Sequence, residues 1–327
     1  MHKDRILVVV DPTAAEQPAA ARGLQLAAAL DCDLELLICH HDPRITMRRL
    51  FATVEREALR EQALQHQLGY LNSLRAELDA DDVHIVTRVV WDSPLAEGII
   101  RATLRDEPRL LLKDTHHHTA IARTLFTSTD WHLIRDCPAP LWLVKAAAMH
   151  RPRILAAVDP THEHEKPAAL DDSVLAQAAT LAKALGGELH VYHGYDTLGD
   201  IANAGSLAMT PAPIAVEEIS ARVKAEHQAA FAELMATHDI PDSHQHLLAG
   251  DPATVLPGLA GDLGAAVLVM GAVARGRLQQ AVIGSTAERV LDYLPCDVLI
   301  VKPPGFDSSV TYKAQSADFM ELHGADD

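Results

Sequence analysis

The sequence predicts an α/β protein built from two tandem copies of one domain, each a mostly parallel five-stranded sheet with helices on both faces. Three observations predict it. "ILVVVDP" at 6–12 recurs as "ILAAVDP" at 154–160. "PAPLWLVK" at 138–145 is matched by "PCDVLIVK" at 295–302. Between these markers, short apolar runs alternate with stretches of helical spacing, the order that produces a parallel sheet covered on both sides. A repeat of this length sets the domain count before any single element is read.

The elements follow in order. The first copy, 1–147, has strand signals at 6–10, 34–39, 85–89, 110–112 and 141–144, and helical patterns at 14–30, 50–78, 95–104 and 128–135. The second copy, 151–303, opens with the β-rich run 154–158. Val174, Leu175, Ala178 and Leu181 then give 172–185 its helical spacing, and Gly186-Gly187 stops it. Strands follow at 188–193, 245–248, 266–270 and 298–301, with helices at 216–238, 252–263 and 285–294 between them. The tail, 304–327, carries Gly, Ser and acidic residues with little periodicity and reads as a surface arm or a disordered segment.

Composition narrows the function. With 48% hydrophobic and 22% charged residues, the chain is globular rather than disordered. No apolar run approaches the roughly 18 residues of a membrane span, and the N-terminal apolar run is too short for a signal peptide. Both point to the cytoplasm. Cys32, Cys39, Cys137 and Cys296 form no CxxC pair, so buried free thiols are expected rather than disulfides or a zinc-thiolate centre. The net charge of −17 argues against nucleic acid or an anionic membrane as partner. It also means that an anionic ligand needs a local positive site.

The second copy offers one. Residues 271–286 read "GAVARGRLQQAVIGST". Gly271 follows a strand, so the loop lies at the carboxyl edge of the sheet, where α/β proteins take ligands. Gly284-Ser285-Thr286 opens the next helix, whose free N–H groups and dipole favour an anion. Gly284 permits close approach, Ser285 or Thr286 can offer a hydroxyl, and Arg275 and Arg277 add charge. The loop lacks the GK[ST] of a Walker sequence. An ordinary strand–helix connection with an N-cap explains the same spacing. Asp159, ending the first strand at this edge, can accept a hydrogen bond from a purine amine or a ribose, or simply form an Asp-Pro turn.

Together, the apolar strand ending in Asp and the late glycine loop resemble the universal stress protein family, over nearly the whole chain and twice. The family pattern is Gly-x2-Gly-x9-Gly-Ser/Thr. Gly271 matches the first glycine and Gly284-Ser285 the last pair, with nine residues kept between Ala274 and Gly284. The resemblance implies Rossmann-like domains and ATP or another adenine nucleotide, with Mg as its companion ion. Adenine would lie near Asp159 and Val191, and phosphates on Gly271, Gly284, Ser285 and the Thr286 amide. Ala274 stands where the family has its second glycine, although Gly276 follows closely. If the backbone there needs positive φ, the methyl costs about 1–2 kcal/mol.

The first copy serves as a control. Without gaps, Gly271 falls opposite Asp114, Ala274 opposite His117 and Gly284 opposite Thr127. Bulky groups and a carboxylate replace the glycines, so this copy is expected not to bind ATP in the family's manner, although Asp11 is retained. His116-His117-His118 reads as a metal site or, preferably, as a solvated or interface loop. No metal-ligand set is assigned from spacing, and His162, His164, His190 and His193 read as polar-loop or partly buried histidines. Trp142, in the last strand, reads as a core or interface anchor, and the resemblance implies a pseudo-dimer of the two halves and pairing of whole chains. No nucleophile–base pair stands out, so the expected role is a ligand-binding regulator rather than an enzyme. The alternatives are a slow ATPase or phosphotransferase using the same loop, or a binder of a larger nucleotide conjugate or apolar ligand, with 199–213 as a lid.

Overall fold

In the computed structural model, residues 4–45, 53–78, 80, 82–118, 123–145, 151–161, 169–195, 216–271, 285–312 and 319–324 are described. The apolar runs of the first half become β1 (Arg5–Val9), β2 (Asp33–His40), β3 (Ile85–Trp91), β4 (Leu110–Asp114) and β7 (Leu141–Val144). Between them lie α1 (Pro18–Leu30), α2 (Thr53–Glu77), α3 (Leu95–Asp106) and α4 (Ser128–Asp136). The second half repeats the order. Its strands are β8 (Arg153–Ala157), β9 (Glu188–Tyr195), β10 (Gln245–Ala249), β11 (Val267–Gly271) and β12 (Asp297–Val301). Its helices are α5 (Ala169–Leu185), α6 (Val216–Ala236), α7 (Pro252–Leu263) and α8 (Ser285–Tyr293). Gly186 ends α5 with φ +60°, a left-handed conformation that favours glycine.

Each half is parallel within itself, ordered β3-β2-β1-β4-β7 and β10-β9-β8-β11-β12. The two last strands then pair antiparallel, Trp142 opposite Leu299, which fuses the halves into one sheet of eleven strands among the described residues. One apolar layer lies under α1, α2, α5 and α6, with Leu26, Leu64, Val174 and Phe231. The other lies under α3, α4, α7 and α8, with Ile99, Leu133, Leu256 and Leu291. Both faces of a central strand are thereby dry, which is why these strands are apolar without alternation.

Two elements depart from the sequence reading. Part of the tail is ordered: β13 (Met320–His323) pairs antiparallel with β3, and Glu321 meets Arg105 at 2.6 Å and Arg88 at 3.4 Å. His116–His118, read as a loop, forms β5 and pairs antiparallel with β6 (Arg123–Leu125). The four cysteines are free, and Cys32, Cys137 and Cys296 are buried.

The seam between the halves is polar at one point. Asp297, 2% exposed, accepts the Trp142 indole N–H at 3.0 Å and Arg22 Nη1 at 2.8 Å on Oδ2, and the Lys145 backbone N–H at 2.8 Å on Oδ1. Trp142 is thus both core and interface, and the Arg22 guanidinium lies 5.5 Å over its ring. The flanking lysines reach across reciprocally. Lys145 Nζ donates to the Leu294 carbonyl at 2.7 Å, and Lys302 Nζ to those of Ile134 and Arg135 at 2.7 and 2.9 Å. These carbonyls lie at the carboxyl ends of the last helices, where cations are favoured. Burial nonetheless pulls both ammonium groups down to about 8.

Candidate functional site

The carboxyl edge of the second half is assembled where β8 and β11 end side by side, Ala157 opposite Met270. Asp159, just past β8, is half-buried, and its Oδ1 accepts the Thr161 hydroxyl at 2.9 Å. The same turn closes the first half, where Asp11 Oδ1 accepts the Thr13 N–H at 2.9 Å and its hydroxyl at 2.6 Å. The recurrent Asp-Pro-Thr therefore shapes the strand exit in both halves, whatever else its carboxylate does. The Asp159 backbone N–H is held at 3.1 Å by Asp171 Oδ1, a buried carboxylate in the first turn of α5.

Gly271 ends β11, and its missing side chain has an internal use. A Cβ there would lie 2.5 Å from Leu170 Cδ2 and 2.9 Å from its Cγ. At Gly271 the close approach is made by α5. Val191 is fully buried opposite Ala156, inside the sheet, and the structure does not bring it to the edge. What stands beside the end of β8 is His193, 1% exposed, its Nδ1 3.2 Å from the Val158 carbonyl and its Nε2 2.8 Å from His227 Nδ1. Ser285 and Thr286 open α8, so their backbone is at the mouth of the edge. Ala274, Arg275, Gly276, Arg277 and Gly284 lie outside the described residues, as do His162, His164 and 199–213.

At the corresponding place in the first half, the helix start is filled from within. Thr127 caps α4: its hydroxyl oxygen accepts the Asp130 N–H at 3.2 Å, while Asp130 Oδ2 accepts the Thr127 N–H at 2.8 Å. Asp130 is fully buried and its Oδ1 meets Lys113 Nζ at 2.8 Å. One internal carboxylate occupies the anion-favouring end of the helix, with its own cation beside it. The Thr-x-x-Asp spacing was a readable signal for this box.

Asp114, the counterpart of Gly271, serves another helix. Its Oδ1 accepts the Ala19 N–H of α1 at 2.6 Å. Burial outweighs that bond and the neighbouring Lys113, and raises the carboxyl to about 7. Its Oδ2 is buried with no hydrogen-bond partner among the described residues.

Comparison with known proteins agrees with this internal repeat. A family model described as "Universal stress protein family" matches residues 3–145 and again 150–302. The chain is 29% identical to Universal stress protein E of Escherichia coli K12, over 96% of this chain and 98% of that one. It is 25% identical to the Universal stress protein E homolog of Haemophilus influenzae, over 91% and 97%. Among solved structures, a putative universal stress protein of Pseudomonas aeruginosa UCBPP-PA14 superposes with TM-score 0.70 at 26% identity, over 92% of this chain and 94% of that one. A universal stress protein of Archaeoglobus fulgidus gives 0.62 at 16%, over 92% and 99%, a likeness of fold alone. No helix among the described residues is long and apolar enough to cross a membrane.

Proposed function

The chain belongs to the universal stress protein family, with one family domain in each half, and on that premise we propose that it is a ligand-binding regulator holding an adenine nucleotide of ATP type in its second half. The observation that carries this reading is the difference between the two helix starts. In the first half, Asp130 and Lys113 fill the end of α4. At the same positions the second half has Ala287 and Met270, which supply neither the carboxylate nor the cation. In this reading the start of α8, which carries Glu288 as its first-turn acidic residue, offers its N–H groups to an external anion.

In this reading phosphates meet the backbone of Gly284, Ser285 and Thr286, and Arg275 and Arg277 offset their charge in an otherwise acidic protein. Ala274 and Gly276 shape the loop between. The base or ribose lies at the strand exit by Asp159 rather than against Val191, which the core encloses. Gly271 ends the strand at this edge and also lets α5 approach. Mg, where it accompanies the nucleotide, is held mainly by the phosphates.

Calorimetry on the full chain with ATP, ADP and AMP tests this. Saturable binding is expected in the wild type and its loss in Gly284→Asp. No heat with the wild type, or unchanged affinity in the variant, overturns the reading. Phosphate release measured on the same samples distinguishes binding from turnover.

A further inference from the structure

A second site lies at the opposite end of the same strands. We propose that Glu188, His190 and His244 bind a divalent transition-metal ion of the zinc class, at the amino end of β9 beside the edge strand β10. One ligand atom from each residue lies within 4.8 Å of the other two. Glu188 and His190 are two apart on β9 and share a face. His244 closes the 3-10 turn Asp242–His244 immediately before β10. The parallel register, Gln245 opposite Val191, then sets it beside His190, with their rings stacked at 4.2 Å.

The proposal rests on how the imidazoles are held. His190 is 6% exposed, and its Nε2 is buried with no hydrogen-bond partner among the described residues. Its other nitrogen, Nδ1, is 3.1 Å from His246 Nε2. His244 is oriented in the same manner, Nδ1 lying 3.0 Å from the Leu189 carbonyl. A carbonyl can only accept, so His244 carries its proton on Nδ1 and presents the Nε2 lone pair. Metal-binding histidines are held by such outer partners on the nitrogen away from the ion. Glu188 Oε2 stands 3.9 Å from His190 Nε2, and its exposed side chain is free to swing inward from Arg153, 3.3 Å away. With that swing, and a turn of the two rings out of their stack, the set reaches bonds of about 2.0–2.1 Å and leaves a fourth position for water. Imidazole and carboxylate donors suit zinc rather than magnesium or calcium.

The site is separate from the proposed nucleotide edge. It lies at the amino end of β9, whereas Asp159 and the start of α8 stand at the carboxyl end of the sheet. It therefore does not depend on nucleotide binding.

The test uses the full metal-stripped chain with His116, His117 and His118 all changed to Asn, so that this other histidine run cannot contribute. Cobalt(II) titration should give one equivalent with visible tetrahedral-type absorption, displaced by Zn(II) in competition with a chromophoric chelator. His244→Ala and Glu188→Gln, at partly or fully exposed positions, should each weaken binding at least ten-fold with unchanged thermal melts. No stoichiometric binding, or unchanged affinity in both variants, overturns the proposal.

Discussion

The two halves share an architecture and differ in where they place carboxylates. Each must tie its first helix to the carboxyl edge of its sheet. The first half does so from strand to helix, Asp114 of β4 accepting the Ala19 N–H of α1. The second does so from helix to strand, Asp171 of α5 accepting the Asp159 N–H beyond β8. The swap moves a carboxylate off the end of the fourth parallel strand and leaves Gly271 there, with Leu170 packed against it. A second carboxylate, Asp130, closes the next helix in the first half, and the aligned position in the second is Ala287. Substitutions of this kind make the first edge self-contained without altering a strand, and on the proposed reading the second edge takes an anion instead.

The comparison can be broken most forcefully at the seam, which belongs to both halves. Asp297→Ala removes the oxygen shared by Arg22 and Trp142 and should cost about 3–5 kcal/mol, as when one partner of a buried ion pair is deleted. Urea denaturation measures it, and a loss under 1 kcal/mol would show that the halves hold together without this cluster.

Asp130→Ala gives the first half the residue the second half has. It removes a helix cap and leaves the Lys113 ammonium unpaired by that carboxylate, a loss of about 2 kcal/mol. ATP stoichiometry should nonetheless stay at one, because the glycine loop is still missing. A second equivalent by calorimetry would mean that Asp130 alone closes the first edge.

Gly271→Ala should cost about 1–2 kcal/mol through overpacking against Leu170. If instead stability holds and only nucleotide affinity falls, the glycine serves the ligand.

The smallest change is Asp114→Asn, near neutral at pH 5 where the native carboxyl is already protonated. Its folded pKa is raised from 3.8 to about 7, so between those values the folded state binds more protons than the unfolded. This group therefore makes stability fall as pH rises from about 4 to 7 and level off above. The Asn variant should lack that fall, and be the more stable of the two at pH 8, in parallel melts across the range.

The repeat, the alternation of elements and the disparity of the two loops were legible because each is a local pattern in the chain. The strand order was not, nor was the antiparallel seam, because β7 and β12 read as ordinary apolar strands until their register is known. Asp171 passed as one of two acidic residues in a helix's first turn, where acidic residues are common. The Glu188, His190 and His244 set was invisible for a related reason: more than fifty residues separate its two parts, and only the β9–β10 register joins them. The packing of Leu170 against Gly271 was not legible either, because it depends on how α5 lies over the end of β11.

The short strand in the tail bears on solubility. β3 is mostly apolar and almost wholly buried, with Trp91 1% exposed, and β13 covers its outer edge. A chain cut at 303 would keep both family domains and every residue proposed to bind nucleotide or metal. It would also present β3 as a bare template for pairing with other molecules, the kind of edge that natural sheets blunt or cover. The closing strand thus caps the first half's sheet edge, and its removal should raise the tendency to associate, read as light scattering of the truncated chain.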